Sequence, residues 1–373
     1  MPRSVVYWLA SLLFAGLVLA KFSPQTGLTS LIRFGGTWED RRHSALQNLP
    51  VATVAESNGY DGQFYAQLAL DPLLRDAESA RVLDAPAYRA RRILTPATAT
   101  LVGFGNAWWT LQAYALINVF CWFTLGWLLH RHIGGTGWPA FARWAGCMFS
   151  VGVLDSVRQS LVDLPALLLL VLAITACSKS RYTRSSVWLA LGGLAKETSL
   201  LGAIALSCDL SLKPFPWKRA AFTLTAAALP LAFWSLYVQQ RFGNPTGSSG
   251  LGNFSWPLLG LLEQARHSLR EVLAGNFDGR HSFSLLAMLG LIIQAWVLWR
   301  NRQPASAWWR VGAIYSILLL FLGVWVWSGY WAACRAVLPM TIAFNLLLPA
   351  GRFFWPLWIS GNLTLLHAVW RFL

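Results

Sequence analysis

The stretch LALGGLAKETSLLGAIAL, Leu189–Leu206, places two charged residues in the middle of an apolar run. Lys196 and Glu197 follow the pair Gly192–Gly193, and leucine and alanine continue on either side. A charged side chain at mid-membrane is costly and has to face protein or water. Basic links flank the run, SKSRYTR (Ser178–Arg184) before it and SLKPFPWKR (Ser211–Arg219) after it. Short loops rich in Lys and Arg stay on the cytoplasmic side, so an even number of crossings should separate these two. One straight helix over Ser186–Leu210 breaks that rule. Two short helices, broken or re-entrant at Lys196–Glu197, satisfy it, because irregular backbone is tolerated at membrane depth where it is buried in protein or lines a cavity. The alternative is one crossing in which Lys196 and Glu197 neutralise each other.

The rest of the chain fits this reading. Of 373 residues, 56% are hydrophobic and only 12% are charged, against roughly a quarter charged in a soluble domain. The apolar runs are Val5–Ala20, Ala107–Leu129, Gly137–Val153, Leu161–Cys177, Ser186–Leu210, Ala220–Val238, Ser284–Leu298, Val311–Trp327, Val337–Leu348 and Phe353–Val369. The expected class is an all-α polytopic membrane protein, a single integral membrane domain over residues 1–373, with about ten to eleven membrane segments. The 22 Trp suit a chain with many membrane–water interfaces. The net charge of +15 comes from residues spread over short links and the first long loop. No basic tract of the nucleic-acid type is present, so the expected partners are membrane lipids and a phosphate-bearing ligand rather than nucleic acid. Cys121, Cys147, Cys177, Cys208 and Cys334 form no metal or CxxC spacing and read as packing residues. The first run resembles a signal peptide with Val18 and Ala20 at a cleavage-like site, but its length favours a retained helix.

With the N-terminus inside, residues 21–104 and 239–283 fall outside. Eight of the 15 acidic residues lie in the first of these loops: Glu39, Asp40, Glu56, Asp61, Asp71, Asp76, Glu78 and Asp84. Loops this long in a compact chain are usually functional. In GYDGQFYAQLALDP, Gly59–Pro72, a helix over Gly62–Leu70 would put Asp61 at its first turn and set Phe64, Leu68 and Tyr65 as a membrane-facing stripe. Asp61 could cap that helix, present a carboxylate to a ligand, or do both. In DAPAYRARRILTP, Asp84–Pro96, Arg89 and Arg92 share a helical face and Arg91 points elsewhere. Two guanidiniums on one face suit a bidentate phosphate clamp, and equally suit snorkelling to lipid head groups. In the second loop, LLGLLEQARHSLREVL (Leu258–Leu273) reads as an amphipathic helix lying on the membrane.

GYDGQFYAQLALDP followed by YRARRILTP resembles the first outer loop of GT-C type membrane glycosyltransferases, closest in pattern to the GPI-mannosyltransferase kind. The charged, Gly-rich GLAKETSLL is similar to the mid-chain helix break of such enzymes. The resemblance implies a polyprenyl-phosphate sugar donor, a glycan or protein acceptor hydroxyl, and a site on the outer face of a bacterial cytoplasmic membrane. Asp61 falls at the family's aspartate and would be the general base, a role a carboxylate can fill in glycosyl transfer. Tyr60, Gln63 and Tyr65 beside it would contact substrate, as would Lys196 and Glu197. Arg89, Arg92 and Arg335 would hold the phosphate, whose charge grows as it leaves. Arg335 lies in SGYWAACRAVLP, four residues before Pro339, in a pattern similar to a late helix of these enzymes.

Glu39 and Asp40 in GTWED are an alternative base or a divalent-cation site, with a local salt bridge to the following arginines as the simpler reading. Asp163 nearly enters an apolar run and needs a partner, for which Arg158 is nearest in LDSVRQSLVDLP. The six histidines are dispersed, with no metal spacing. Two rival functions use the same residues: a transporter or flippase for a lipid-linked or anionic substrate, and an inactive assembly subunit. The orientation is testable. The basic link RNRQPASAWWR, Arg300–Arg310, is also expected inside, so in a Cys-free background an impermeant thiol reagent should label Glu56→Cys in intact cells and leave Arg302→Cys protected; the reverse pattern overturns the topology.

Overall fold

A computed structural model describes residues 4–135, 137–207, 214–243, 250–277 and 279–372. Cys208, Lys213 and parts of the second outer loop, 244–249 and 278, lie outside the described residues. Of the described residues 73% are helical, and among them one two-stranded parallel pair joins Phe34–Gly35 to Thr53–Val54. Among the described residues three helices are long and apolar enough to cross a membrane: Ala107–Ile133, Trp217–Phe242 and Gly279–Arg300. A fourth span results if Tyr330–Ala336 and Leu338–Leu347, bent by 67°, count as one. Shorter apolar helices cover Val5–Leu19, Asp163–Ser178, Glu197–Ser207 and Ala307–Phe321. By length and composition the spans are therefore fewer than the apolar runs, because several runs are broken. Gly137–Val153 divides into Trp138–Met148 and Val151–Arg158, and Phe353–Val369 into Phe354–Gly361 and Leu365–Phe372.

The helix ends follow local chemistry. Asn106 caps the 27-residue helix Ala107–Ile133 by accepting from the Trp109 N–H at 3.1 Å. Gly134 ends it at φ +64, a conformation glycine adopts without strain. Apolar side chains then cover the outside of the long helices. Phe222, Leu229, Phe233 and Leu236 are exposed on Trp217–Phe242, and Leu116, Phe120 and Trp127 on Ala107–Ile133. Apolar faces of this extent belong in lipid.

The break at Lys196–Glu197 is present. The helix Tyr182–Ala195 stops, Lys196 is extended at φ −158 and ψ 125, and a 3₁₀ turn over Glu197–Ser199 leads into Leu200–Ser207. The first half packs on Asp163–Ser178 and Trp217–Phe242.

Residues 21–104 form a folded cap with a small core of their own: Phe64, Leu68, Leu74, Val82, Leu83, Ala87, Ala90 and Ile93, closed by Val238. The helix Asp61–Leu68 begins where expected. Its stripe, however, does not face the membrane. Phe64 and Leu68 are buried in the cap core, and Tyr65 in the main core. The cap is fastened to the end of Trp217–Phe242, where Trp234 donates to Ala90 O at 2.7 Å, Tyr237 to Leu73 O, and Arg241 to Leu74 O.

Two glycines fix where Asp61 sits. Gly59 has φ +69, and a Cβ there would lie 2.5 Å from Gly35 N. At Gly62 a Cβ would lie 2.1 Å from the Gln159 carbonyl oxygen. Backbone cannot yield as a flexible side chain does, so Gly62→Ala should cost about 1–3 kcal/mol, as overpacking does. Thermal unfolding in detergent should show this as a lowered Tm. Gly16→Ala, with nothing within 4 Å of the new Cβ, should leave Tm unchanged or raised; equal effects at both positions overturn the account.

Candidate active site

A cavity of about 400 Å3 lies beneath the cap, within the range of small-molecule sites. Tyr60, Asp61, Tyr65, Tyr88, Arg89, Arg91 and Arg92 reach it from the cap, Asp163 from the start of its helix, Lys196 and Glu197 from the helix break, and Arg335 from Tyr330–Ala336. Residues remote in sequence thus meet at one point. The remaining wall includes Leu161, Val162, Phe254, Leu322, Trp325 and Val326.

Asp61 is the first residue of its helix and 34% exposed. Its Oδ1 accepts from Arg89 Nη2 at 2.8 Å, and its Oδ2 has no hydrogen-bond partner among the described residues. Burial alone would raise its pKa, but the guanidiniums of Arg89, Arg335 and Arg92 outweigh burial and hold the carboxyl below its usual range. Asp61 is therefore ionised at neutral and mildly acidic pH. Arg89 also forks onto Asp84, with Nε–Oδ1 at 2.8 Å and Nη2–Oδ2 at 2.7 Å. Arg92 forks onto Glu197, with Nε–Oε2 at 2.8 Å and Nη2–Oε1 at 2.6 Å, and its Nη1 donates to Tyr65 OH at 2.8 Å. Bidentate pairs of this kind are strong and directional.

The other side of the cavity is built around Asp163. Its Oδ1 accepts from Lys196 Nζ at 2.5 Å and its Oδ2 from Arg335 Nη1 at 3.2 Å. Arg335 lies 3.6 Å from Asp155 Oδ2, and its Nη2 donates to Tyr60 OH at 2.9 Å. Tyr60 OH also accepts from Trp331 Nε1 at 2.8 Å. Burial pushes the Tyr60 hydroxyl up to about 12 despite nearby Arg335, so it keeps its proton and can donate it.

Several sequence expectations change here. The partners of Asp163 are Lys196 and Arg335, not Arg158, since contacts across helices replace the nearest residue in sequence. Lys196 and Glu197 do not pair with each other; each reaches a different helix. Gln63 does not line the cavity. It is buried, its Oε1 accepts from Gly35 N at 3.0 Å, and its Nε2 donates to Asn58 O at 2.7 Å. Glu39 and Asp40 also lie outside the cavity lining, and Glu39 pairs with Arg42 at 3.2 Å. Arg89 and Arg92 both face the cavity but are already engaged by carboxylates, and Arg91 faces it too. Asp84, Tyr88 and Trp331 are additions. Tyr88 stands four residues before Arg92, a spacing that could have revealed its contact with that guanidinium.

His43 comes beside Asp76 and Glu78 through folding, a grouping no sequence spacing announced. Its Nδ1 accepts from Ala45 N at 3.2 Å, which leaves the ring hydrogen on Nε2, 3.6 Å from Asp76 Oδ2.

No protein-family model, no curated protein and no solved structure matches this chain.

Breaking the Asp163 centre gives a direct test. Lys196, Arg335 and Asp163 are each 13% exposed or less. Removing one member of a buried ion pair costs about 3–5 kcal/mol, whereas an exposed pair is worth about 0–1 kcal/mol. Asp163→Asn should lower Tm strongly and Glu39→Gln hardly at all; comparable shifts would mean that the Asp163 cluster is effectively solvated.

Proposed function

We propose that this protein is a membrane glycosyltransferase of GT-C type that moves a sugar from a polyprenyl-phosphate donor to an acceptor hydroxyl on a glycan or protein. The observation that carries the reading is the open Oδ2 of an ionised Asp61 in a cavity lined by cations, tyrosines and apolar side chains. The acceptor oxygen attacks the anomeric carbon as the bond from that carbon to the phosphate oxygen breaks. The polyprenyl phosphate leaves with the electron pair, and the acceptor proton passes to Asp61. Cationic groups placed where charge develops are usually the largest single contribution to such a step, and we assign that part to Arg89, Arg92 and Arg335, which line the cavity. Arg89 also aims the carboxylate, and the Tyr60 hydroxyl can donate to a sugar oxygen. The apolar helices support a membrane location, and the outer loop origin of Asp61 supports an outer-facing site in the cytoplasmic membrane of a bacterium.

A transporter for a lipid-linked anion is the second reading. It is favoured by the helix break at Lys196, because broken helices lining a central cavity also serve substrate passage.

Asp61→Asn separates the two readings. Arg89 keeps its fork on Asp84, so the variant should fold and bind lipid-linked sugar. Loss of a general base costs about 10²–10⁴ in rate. Reconstituted protein given a panel of radiolabelled lipid-linked sugars should show that loss, with Glu39→Gln and Asp40→Asn close to wild type. Normal turnover by Asp61→Asn overturns the base assignment. Wild type that carries label across the bilayer without sugar transfer establishes the transporter.

A further inference from the structure

A second group of cations lies outside the cavity lining: Lys21, Arg33, Arg158 and Arg371. Arg158 is the last residue of Val151–Arg158, one helical turn after Asp155. The helix Leu365–Phe372 packs on Val151–Arg158 and brings Arg371 Nη2 to 3.6 Å from Asp155 Oδ1. Arg33 enters from the cap. A Cβ at Gly62 would lie 2.1 Å from the Gln159 carbonyl oxygen and 3.0 Å from that of Ile32, so the chain neighbours of Arg158 and Arg33 flank one point. Burial lowers the pKa of Arg158, and the charges of Arg371 and Arg33 add to it. Lys21 is close as well, its pKa lowered by burial and by Arg158. The positive charge is poorly matched. Arg371 pairs with Asp155, which also faces Arg335 at 3.6 Å. Arg33 and Arg158 pair with no carboxylate among the described residues, and there Arg33 Nε and Arg158 Nη1 are buried without a hydrogen-bond partner.

A phosphate with two free oxygens would serve both of these guanidiniums at once, because the arginine fork matches its geometry. The surroundings indicate its source. Leu366 and Trp370 form an exposed stripe on the helix that carries Arg371, and Leu19 and Phe22 are exposed on either side of Lys21. The Phe372 and Phe14 rings are 5.9 Å apart, so this helix touches the first helix, Ser4–Leu19. Apolar surface therefore borders the guanidiniums, which is the setting of a lipid head group rather than of a soluble ion. We propose that Arg33, Arg158 and Arg371 form a second anion site that takes the phosphate of an anionic phospholipid, with its acyl chains along Leu366 and Trp370. A zwitterionic head group carries the same phosphate but adds a cation to a place already rich in them. Asp155 joins this site to the cavity through Arg335. A phosphate that takes over Arg371 leaves Asp155 to Arg335, so the lipid bears on how firmly that cavity arginine is held.

The test uses the full chain. Its Tm is measured in nanodiscs of phosphatidylcholine with and without phosphatidylglycerol, and lipid affinity is titrated in detergent by native mass spectrometry. Wild type should bind phosphatidylglycerol more tightly than phosphatidylcholine and gain Tm from it. Arg158→Gln and Arg33→Gln should each weaken phosphatidylglycerol binding roughly tenfold or more, the loss expected for one charge-assisted contact, and Arg158→Lys should weaken it less. Both glutamine variants should keep the wild-type Tm in phosphatidylcholine, since neither arginine supports an ion pair among the described residues. Arg302→Gln, which removes an exposed arginine from another link, should behave as wild type. Unchanged phosphatidylglycerol binding in both glutamine variants, or an equal loss in Arg302→Gln, overturns the inference. A lowered Tm of both in phosphatidylcholine would mean that protein already satisfies these side chains, and overturns it too. Wild type in phosphatidylcholine that gains the same Tm from inorganic phosphate overturns the lipid in favour of a soluble anion. The glycosyl-transfer reading rests on Asp61 and stands or falls separately.

Discussion

Lys196 and Glu197 are neighbours in the chain and reach in different directions. Lys196 goes to Asp163 at the start of one helix, and Glu197 goes to Arg92 in the cap. The regular helix cannot continue through both contacts, and Lys196 takes up the difference in extended backbone. Each pair is partly shielded from water, where an unmatched charge costs several kcal/mol. The break is therefore held open by two ion pairs that would both be lost if the helix closed. The cavity exists in the space between them. Asp163 spreads this constraint further, because the same carboxylate also holds Arg335 and so ties a third helix to the break.

A second layer of organisation comes from the cap. Its own apolar core and its bonds to Trp217–Phe242 let residues 21–104 act as a rigid roof. The start of the Asp61 helix is pressed against the Gln159 carbonyl through Gly62, which leaves no room there for a methyl group.

The sequence made the charged break legible because Lys196 and Glu197 could not rest in an apolar run unpartnered. Asp61 and Arg335 were legible for related reasons: one at a helix start in an acidic loop, the other a lone guanidinium between apolar runs. Their partners were not legible. Arg158 is five residues from Asp163 and seemed its natural match, but packing brings Lys196 and Arg335 there instead. The spacing of Phe64 and Leu68 correctly gave one helical face, yet said nothing about what covers it. A membrane and a small protein core both accept an apolar stripe, and only the folding of residues 74–93 over it decides between them. Gln63 illustrates the opposite failure. A polar residue beside a candidate base looks like a ligand contact, but its amide is consumed by the backbone of Gly35 and Asn58.

The bond from Trp234 to the Ala90 carbonyl lies between Arg89 and Arg91 in the chain. Trp234 belongs to a helix of 26 residues, whose apolar stretch Ala220–Val238 is about 28 Å long at ~1.5 Å per residue. A typical bilayer has a hydrocarbon layer about 30 Å thick, close to that length, and a membrane of another thickness is met by tilting or by local deformation of the bilayer. The lipid-facing side of this helix is largely uncovered by protein. A change in bilayer thickness would therefore bias the helix's tilt within the limits its packing allows, and the tilt would move the carbonyl of Ala90. Hydrophobic mismatch would thus reach the cavity through the bonds of Trp234, Tyr237 and Arg241 to the cap, so that the composition of the surrounding membrane becomes part of the site's geometry.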